Sequence, residues 1–190
     1  MITVIFVGIM CTLYFNLLGI FSFLYNFNSL SVLSIIEAYN NSKYVEFFRI
    51  ILFNFFHLNL NHLLINMIAF INYGIPLEDF LKNFNKYLYL KTLYLVSLYT
   101  GIFTFLIHYI SYLTTNNEYY LTVNVSGFSG VLFALQYLFY YINYNSKEQA
   151  IKYVLIQLFY ISLVTRGTSF IEHLSGIFSG LVVSNLIGLQ

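Results

Sequence analysis

The chain has 190 residues, of which 59% are hydrophobic and only 8% charged, and its mean hydropathy is +0.77. A soluble domain carries roughly 25% charged residues, so this composition excludes a water-soluble globular enzyme and a disordered tail. A net charge of +1 without basic clusters excludes a nucleic-acid binder.

Six apolar segments are predicted as membrane spans, at about 2–24, 60–77, 88–110, 127–144, 151–165 and 171–188. Six spans of about 20 residues need about 120 positions, which is close to the apolar content. The first segment lacks a positively charged lead-in and reads as a retained span. It carries Cys11, the single cysteine, which rules out an internal disulfide and a cysteine-built metal site and reads as a lipid-facing or packed thiol. The connection 25–59 is long and mixed. Glu37, Lys43, Glu46 and Arg49 interrupt apolar stretches such as 50–53, as in an amphipathic, partly helical loop at the membrane interface. The remaining connections are short and there are no repeats, so residues 1–190 read as one domain. Lys82, Lys86, Lys91, Lys147 and Lys152 fall on one side of a six-span topology and Lys43, Arg49 and Arg166 on the other. That bias puts both termini on the cytoplasm-like side.

Polar groups inside spans are expensive in lipid and are therefore functional candidates. His62 and Asn66 are four apart, on one face of the second span. Gly127-Phe128-Ser129-Gly130 opens the fourth span, and Glu172-His173-Leu174-Ser175-Gly176 opens the sixth. The second, fourth and sixth spans run in the same direction, so the three polar groups lie at similar depth near the non-cytoplasmic face. A serine needs a base to become a nucleophile, and His173 can serve as one. His62, Asn66 and the Ser129 amide can donate to the oxyanion of acyl transfer. Gly176 and Gly180 form a G-x-x-x-G stripe that permits close helix approach, and Ser129, Gly130 and Ala134 are small on the facing span. A tight contact between these spans brings Ser129 to His173. The sequence offers no acidic residue to orient that histidine, which makes the pair a dyad. Each motif by itself reads first as a packing or structural feature; their joint occurrence is what points to a serine hydrolase. His108, near the end of the third span, reads as structural or interfacial.

These residues resemble the rhomboid family of intramembrane serine proteases. Glu46-Phe47-Phe48-Arg49 is similar to the family's E-x-W-R element, with Phe48 in place of the tryptophan. His57-x4-His62-x3-Asn66 matches H-x4-H-x3-N, and Glu78 resembles the acidic residue after that span. Gly127-Phe128-Ser129-Gly130 matches G-x-S-G, and His173-x2-Gly176-x3-Gly180 matches the last-span element. The resemblance implies an all-α six-span bundle in the membrane that cleaves transmembrane helices of other proteins. Ser129 is then the nucleophile and His173 the base. His62, Asn66 and the Ser129 amide form the oxyanion hole. Gly127 and Gly130 shape the nucleophile turn, and Arg49 and His57 hold the first loop. The fifth span and the loop 166–170 act as a substrate gate. Neither a metal nor an organic cofactor is expected. Water is expected to reach the serine past Asn116, Asn117, Asn124 and Ser126. Phe133 stands where many relatives have a tyrosine on the catalytic histidine, and its ring still suits stacking. The chain is similar to the minimal six-span form. The rival readings are an inactive rhomboid-like adaptor or chaperone that binds client helices, and a small channel or transporter.

Overall fold

The computed structural model describes residues 1–15, 27–164 and 169–189. Among them the structure is helical, with one isolated β-bridge. In chain order the helices are α1 (Ile2–Phe15), α2 (Val32–Asn40), α3 (Arg49–Leu52), α4 (Leu60–Lys82), α5 (Leu88–Thr115), α6 (Tyr119–Thr122), α7 (Ser129–Tyr144), α8 (Lys147–Val164) and α9 (Phe170–Leu186). Each of the six apolar segments contains a long helix. Two of these, α4 and α5, are long and apolar enough to cross a membrane, while α1 and α9 are shorter apolar helices. The second half of the first segment and Arg166 lie outside the described residues.

The observed ends follow backbone hydrogen bonding and not hydropathy. α4 continues past Pro76 to Lys82. α5 runs to Thr115, where Asn116 turns left-handed with φ 53° and its amide bonds Tyr112 O. Ser31 and Ser34 cap α2 reciprocally, Asn59 caps α4 through the His62 amide, and Ser169 caps α9 through the Glu172 amide. Each cap satisfies a donor that the first helical turn leaves free.

α7 is the centre of the bundle. Ten of its sixteen residues are buried, and it packs on α9, α8 and α4. The closest of these approaches is to α9. A Cβ on Gly176 would lie 1.9 Å from Gly130 O, and one on Gly180 would lie 2.9 Å from Ala134 O. The two backbones therefore touch along the small-residue stripe, the geometry that replaces hydrophobic drive between helices in lipid. Ser179 Oγ donates to Val96 O at 3.0 Å and ties the other flank of α9 to α5.

The connection between α1 and α4 folds against the bundle. Its α3 rests on α5 at Gly101, where a Cβ would meet Ile50 O at 1.8 Å. Asn54 Nδ2 donates to Ile51 O and Ser97 O. Arg49 Nε donates to Glu46 at 2.7 Å, Nη1 donates to Ser29 O at 3.2 Å, and the guanidinium lies over the Phe27 ring. Phe48 is exposed. Glu78 holds the start of α1: its carboxylate accepts from the Ile2 and Thr3 amides and from the Thr3 hydroxyl. An anion at this position also suits the helix dipole.

Gly176→Ala should lower the thermal midpoint in detergent, because its new methyl meets backbone that cannot rotate away. Overpacking of this kind costs about 1–3 kcal/mol. Gly8→Ala is the control: no described residue lies within 4 Å of its Cβ position, and alanine is the better helix former, so its midpoint should hold or rise.

Candidate active site

The turn 123–129 carries Ser129 to the first position of α7, and three contacts fix it. Leu30 and Val125 exchange backbone hydrogen bonds of 2.8 and 2.9 Å. The Gly127 amide donates to Phe53 O at 3.2 Å. Phe128 is fully buried, with its ring against Phe70 and Phe55. Gly127 has φ +131°, a region that side chains rarely adopt, and a Cβ there would meet His62 Cε1 at 2.5 Å. Glycine is thus required twice over, for the turn and for the imidazole that lies against it.

The α7–α9 contact then sets the chemistry. Ser129 Oγ is 3.0 Å from His173 Nε2. His173 is buried, and the Phe133 ring stacks on it with centroids 4.6 Å apart and planes at 29°. His173 Nδ1 is buried without a hydrogen-bond partner among the described residues. The acid that sequence reasoning gave no role is Glu172. Its Oε1 accepts from Ser129 Oγ at 3.1 Å and from the Gly130 amide at 3.2 Å, and the residue is only 2% exposed. The signal was present in the sequence, since a carboxylate inside an apolar span is costly unless something holds it. What holds it is the serine turn, not the histidine.

α4 brings the remaining candidates. His62 lies over Gly127, and Asn66 one turn later is buried, with Nδ2 donating to nothing among the described residues. His57 precedes α4, its ring 5.2 Å from that of His62 at 69°. Burial, with the His62 ring adding to it, pushes the His57 imidazole down to about 3, so it is neutral at physiological pH.

The expected polar approach is divided. Asn116, Asn117 and Asn124 are exposed, whereas Ser126 is buried with its hydroxyl unpaired among the described residues. His108 is buried beside Tyr120 and lines a cavity of about 420 Å³ with Asn124, Ser169 and Ile171. Cys11 is half-buried against the core. Among the described residues no group of three or more His, Cys, Asp or Glu side chains is placed to hold a metal ion.

This arrangement can do acyl-transfer chemistry. A hydroxyl at a helix start sits between an imidazole and a carboxyl, and the His62 ring of α4 lies against the same turn at Gly127. The family model for the rhomboid domain matches residues 44–190. No curated protein and no solved structure matches the chain.

The His57 pKa gives a stability prediction. The unfolded histidine takes up its proton near pH 6.5 and the folded one only near 3. Between those values the unfolded chain binds the extra proton, so folding stability falls as pH drops below about 6.5. The thermal midpoint in detergent should decline from pH 7 to pH 5, and His57→Gln should lessen that decline. An equal slope in both proteins would exclude His57 as a cause.

Proposed function

The chain belongs to the rhomboid family and is a membrane protein, and from that premise we propose that it is an intramembrane serine endopeptidase that cleaves transmembrane helices of other membrane proteins. The observation that carries this reading is the 3.0 Å contact between Ser129 Oγ and His173 Nε2. In this reading α1, α4, α5, α7, α8 and α9 are six spans of a single domain, with the α1–α4 connection at the interface.

Ser129 is the nucleophile. His173 takes its proton and returns it to the leaving nitrogen, and Phe133 keeps the ring in its plane. The oxyanion forms where the Ser129 amide, the His62 ring and the Asn66 amide can donate. Asn66 Nδ2, without a partner among the described residues, supports that role, because a buried donor without a partner is expensive to keep and gains one when charge develops on the substrate oxygen. Helical carbonyls are bonded and shielded in lipid, so the substrate helix must unwind near the site. Small or helix-weakening residues there should favour cleavage. Arg49 and His57 act by holding the first loop. α8 and the residues that follow it serve as the gate.

A fluorophosphonate probe should label the wild type and not Ser129→Ala, and only the wild type should cut a model transmembrane substrate in liposomes. His62→Ala and Asn66→Ala should each lower turnover by roughly 10²–10³-fold with the thermal midpoint unchanged. A wild-type chain that neither labels nor cuts would leave the client-binding adaptor as the better reading.

A further inference from the structure

Glu172 touches the reacting oxygen, and the Ser129–His173 dyad leaves it without a task. Its carboxyl is buried at 2% exposure and accepts from the Ser129 hydroxyl at 3.1 Å and the Gly130 amide at 3.2 Å. His173 Nε2 reaches the same hydroxyl at 3.0 Å. A serine hydroxyl has one proton to give, so it donates to the carboxylate or to the imidazole, never to both at once. In a Ser–His–Asp triad the acid binds the far ring nitrogen and holds the tautomer in which the near nitrogen accepts. Here that far nitrogen, His173 Nδ1, has no partner among the described residues. The acid lies on the serine instead.

We propose that Glu172 is a second general base for Ser129, a catalytic residue that shares the serine proton with His173. This inference rests on the reading of Ser129 as the nucleophile. As Oγ bonds to the scissile carbonyl carbon, its O–H bond breaks and the proton passes to Glu172 Oε1 or His173 Nε2. The carbonyl π pair moves onto its oxygen. When the C–N bond breaks, the leaving nitrogen takes the proton from whichever base holds it. Water then gives a proton to the same base as it attacks the acyl carbon, and Oγ recovers that proton as the C–Oγ bond breaks. The Gly130 amide keeps the carboxyl turned towards the serine throughout, and the Ser169 cap, which accepts from the Glu172 amide at 3.2 Å, fixes the backbone beneath it.

A merely structural carboxyl and a second base differ in a measurable way. Cleavage of a model transmembrane substrate and fluorophosphonate labelling are compared for wild type, Glu172→Gln, His173→Ala, the double variant and Ser129→Ala, with thermal midpoints alongside. Glu172→Gln keeps an oxygen acceptor for the Gly130 amide but takes no proton, so cleavage should fall roughly 10²-fold at an unchanged midpoint. His173→Ala should retain activity above Ser129→Ala, and the double variant should lose that remainder. Glu172→Asp, with its carboxylate restored, should recover part of the Glu172→Gln loss. The proposal is overturned if Glu172→Gln cuts like wild type, or if His173→Ala and the double variant have the same rate. It is overturned equally if any loss in Glu172→Gln follows its midpoint and is not relieved by aspartate. A wild type that neither labels nor cuts instead removes the serine-hydrolase reading itself, which separates the two failures.

Discussion

Everything at the candidate site depends on the backbone contact between α7 and α9. Gly130 and Gly176 leave no space between the two helices, so that a single methyl on Gly176 would fall 1.9 Å from a carbonyl oxygen. Ser129 is the residue before Gly130, and Glu172 and His173 lie within about one turn of Gly176. A serine side chain is short and cannot reach a base on a helix packed at an ordinary 8–10 Å axis separation unless the backbones close up. The glycines are therefore part of the chemistry: they set the distance over which a proton would move. Gly180 against Ala134 extends the same contact by a further turn and keeps the helices from pivoting.

The serine is held from its other side by the connection between α1 and α4. That segment supplies the Leu30 pairing to Val125 and the Phe53 carbonyl that receives the Gly127 amide. These three bonds satisfy backbone groups that would otherwise be buried without partners. Arg49 gathers Glu46, the Ser29 carbonyl and the Phe27 ring, which stiffens the piece that does the holding. The connection is thus a second scaffold for the turn at 127–129. α7 and α9 position the serine relative to its bases, and residues 27–56 position it relative to α4.

Much of this could be read from residue types and their places on the helices. Parity put the starts of α4, α7 and α9 at one end, and the small residues at 130, 134, 176 and 180 named the face on which α7 and α9 meet. The resemblance to the rhomboid family implied an aromatic ring at Phe133 on His173, and the two rings stack. Other features leave no such trace. Leu30 and Val125 are 95 positions apart, with no periodicity linking them. Glu172 neighbours His173, but successive helical residues point about 100° apart, so adjacency gives no hint that both reach one hydroxyl. Glu78 also looked like a span-end acid, whereas its partners are the first amides of α1, 76 and 75 residues earlier. Helix ends leave little trace for a different reason: hydropathy fades where polar residues begin, while α4 and α5 carry their hydrogen bonding several residues beyond the apolar segments.

The position of Glu172 gives the site a direction. It meets the serine turn at Gly130, while His62 meets it at Gly127, and the two come from different helices. In the proteolytic reading, the serine proton goes to Glu172 or His173 as the oxyanion forms, so the α9 side then carries no net charge and offers that oxygen no side-chain donor that is not engaged with the proton. The spare donor lies on the α4 side, where the Asn66 amide lacks a partner among the described residues. α9 then handles protons and α4 handles charge on the substrate oxygen. That division also constrains the substrate: its scissile carbonyl must point towards α4 and its leaving nitrogen towards α9, which fixes the face from which Ser129 attacks.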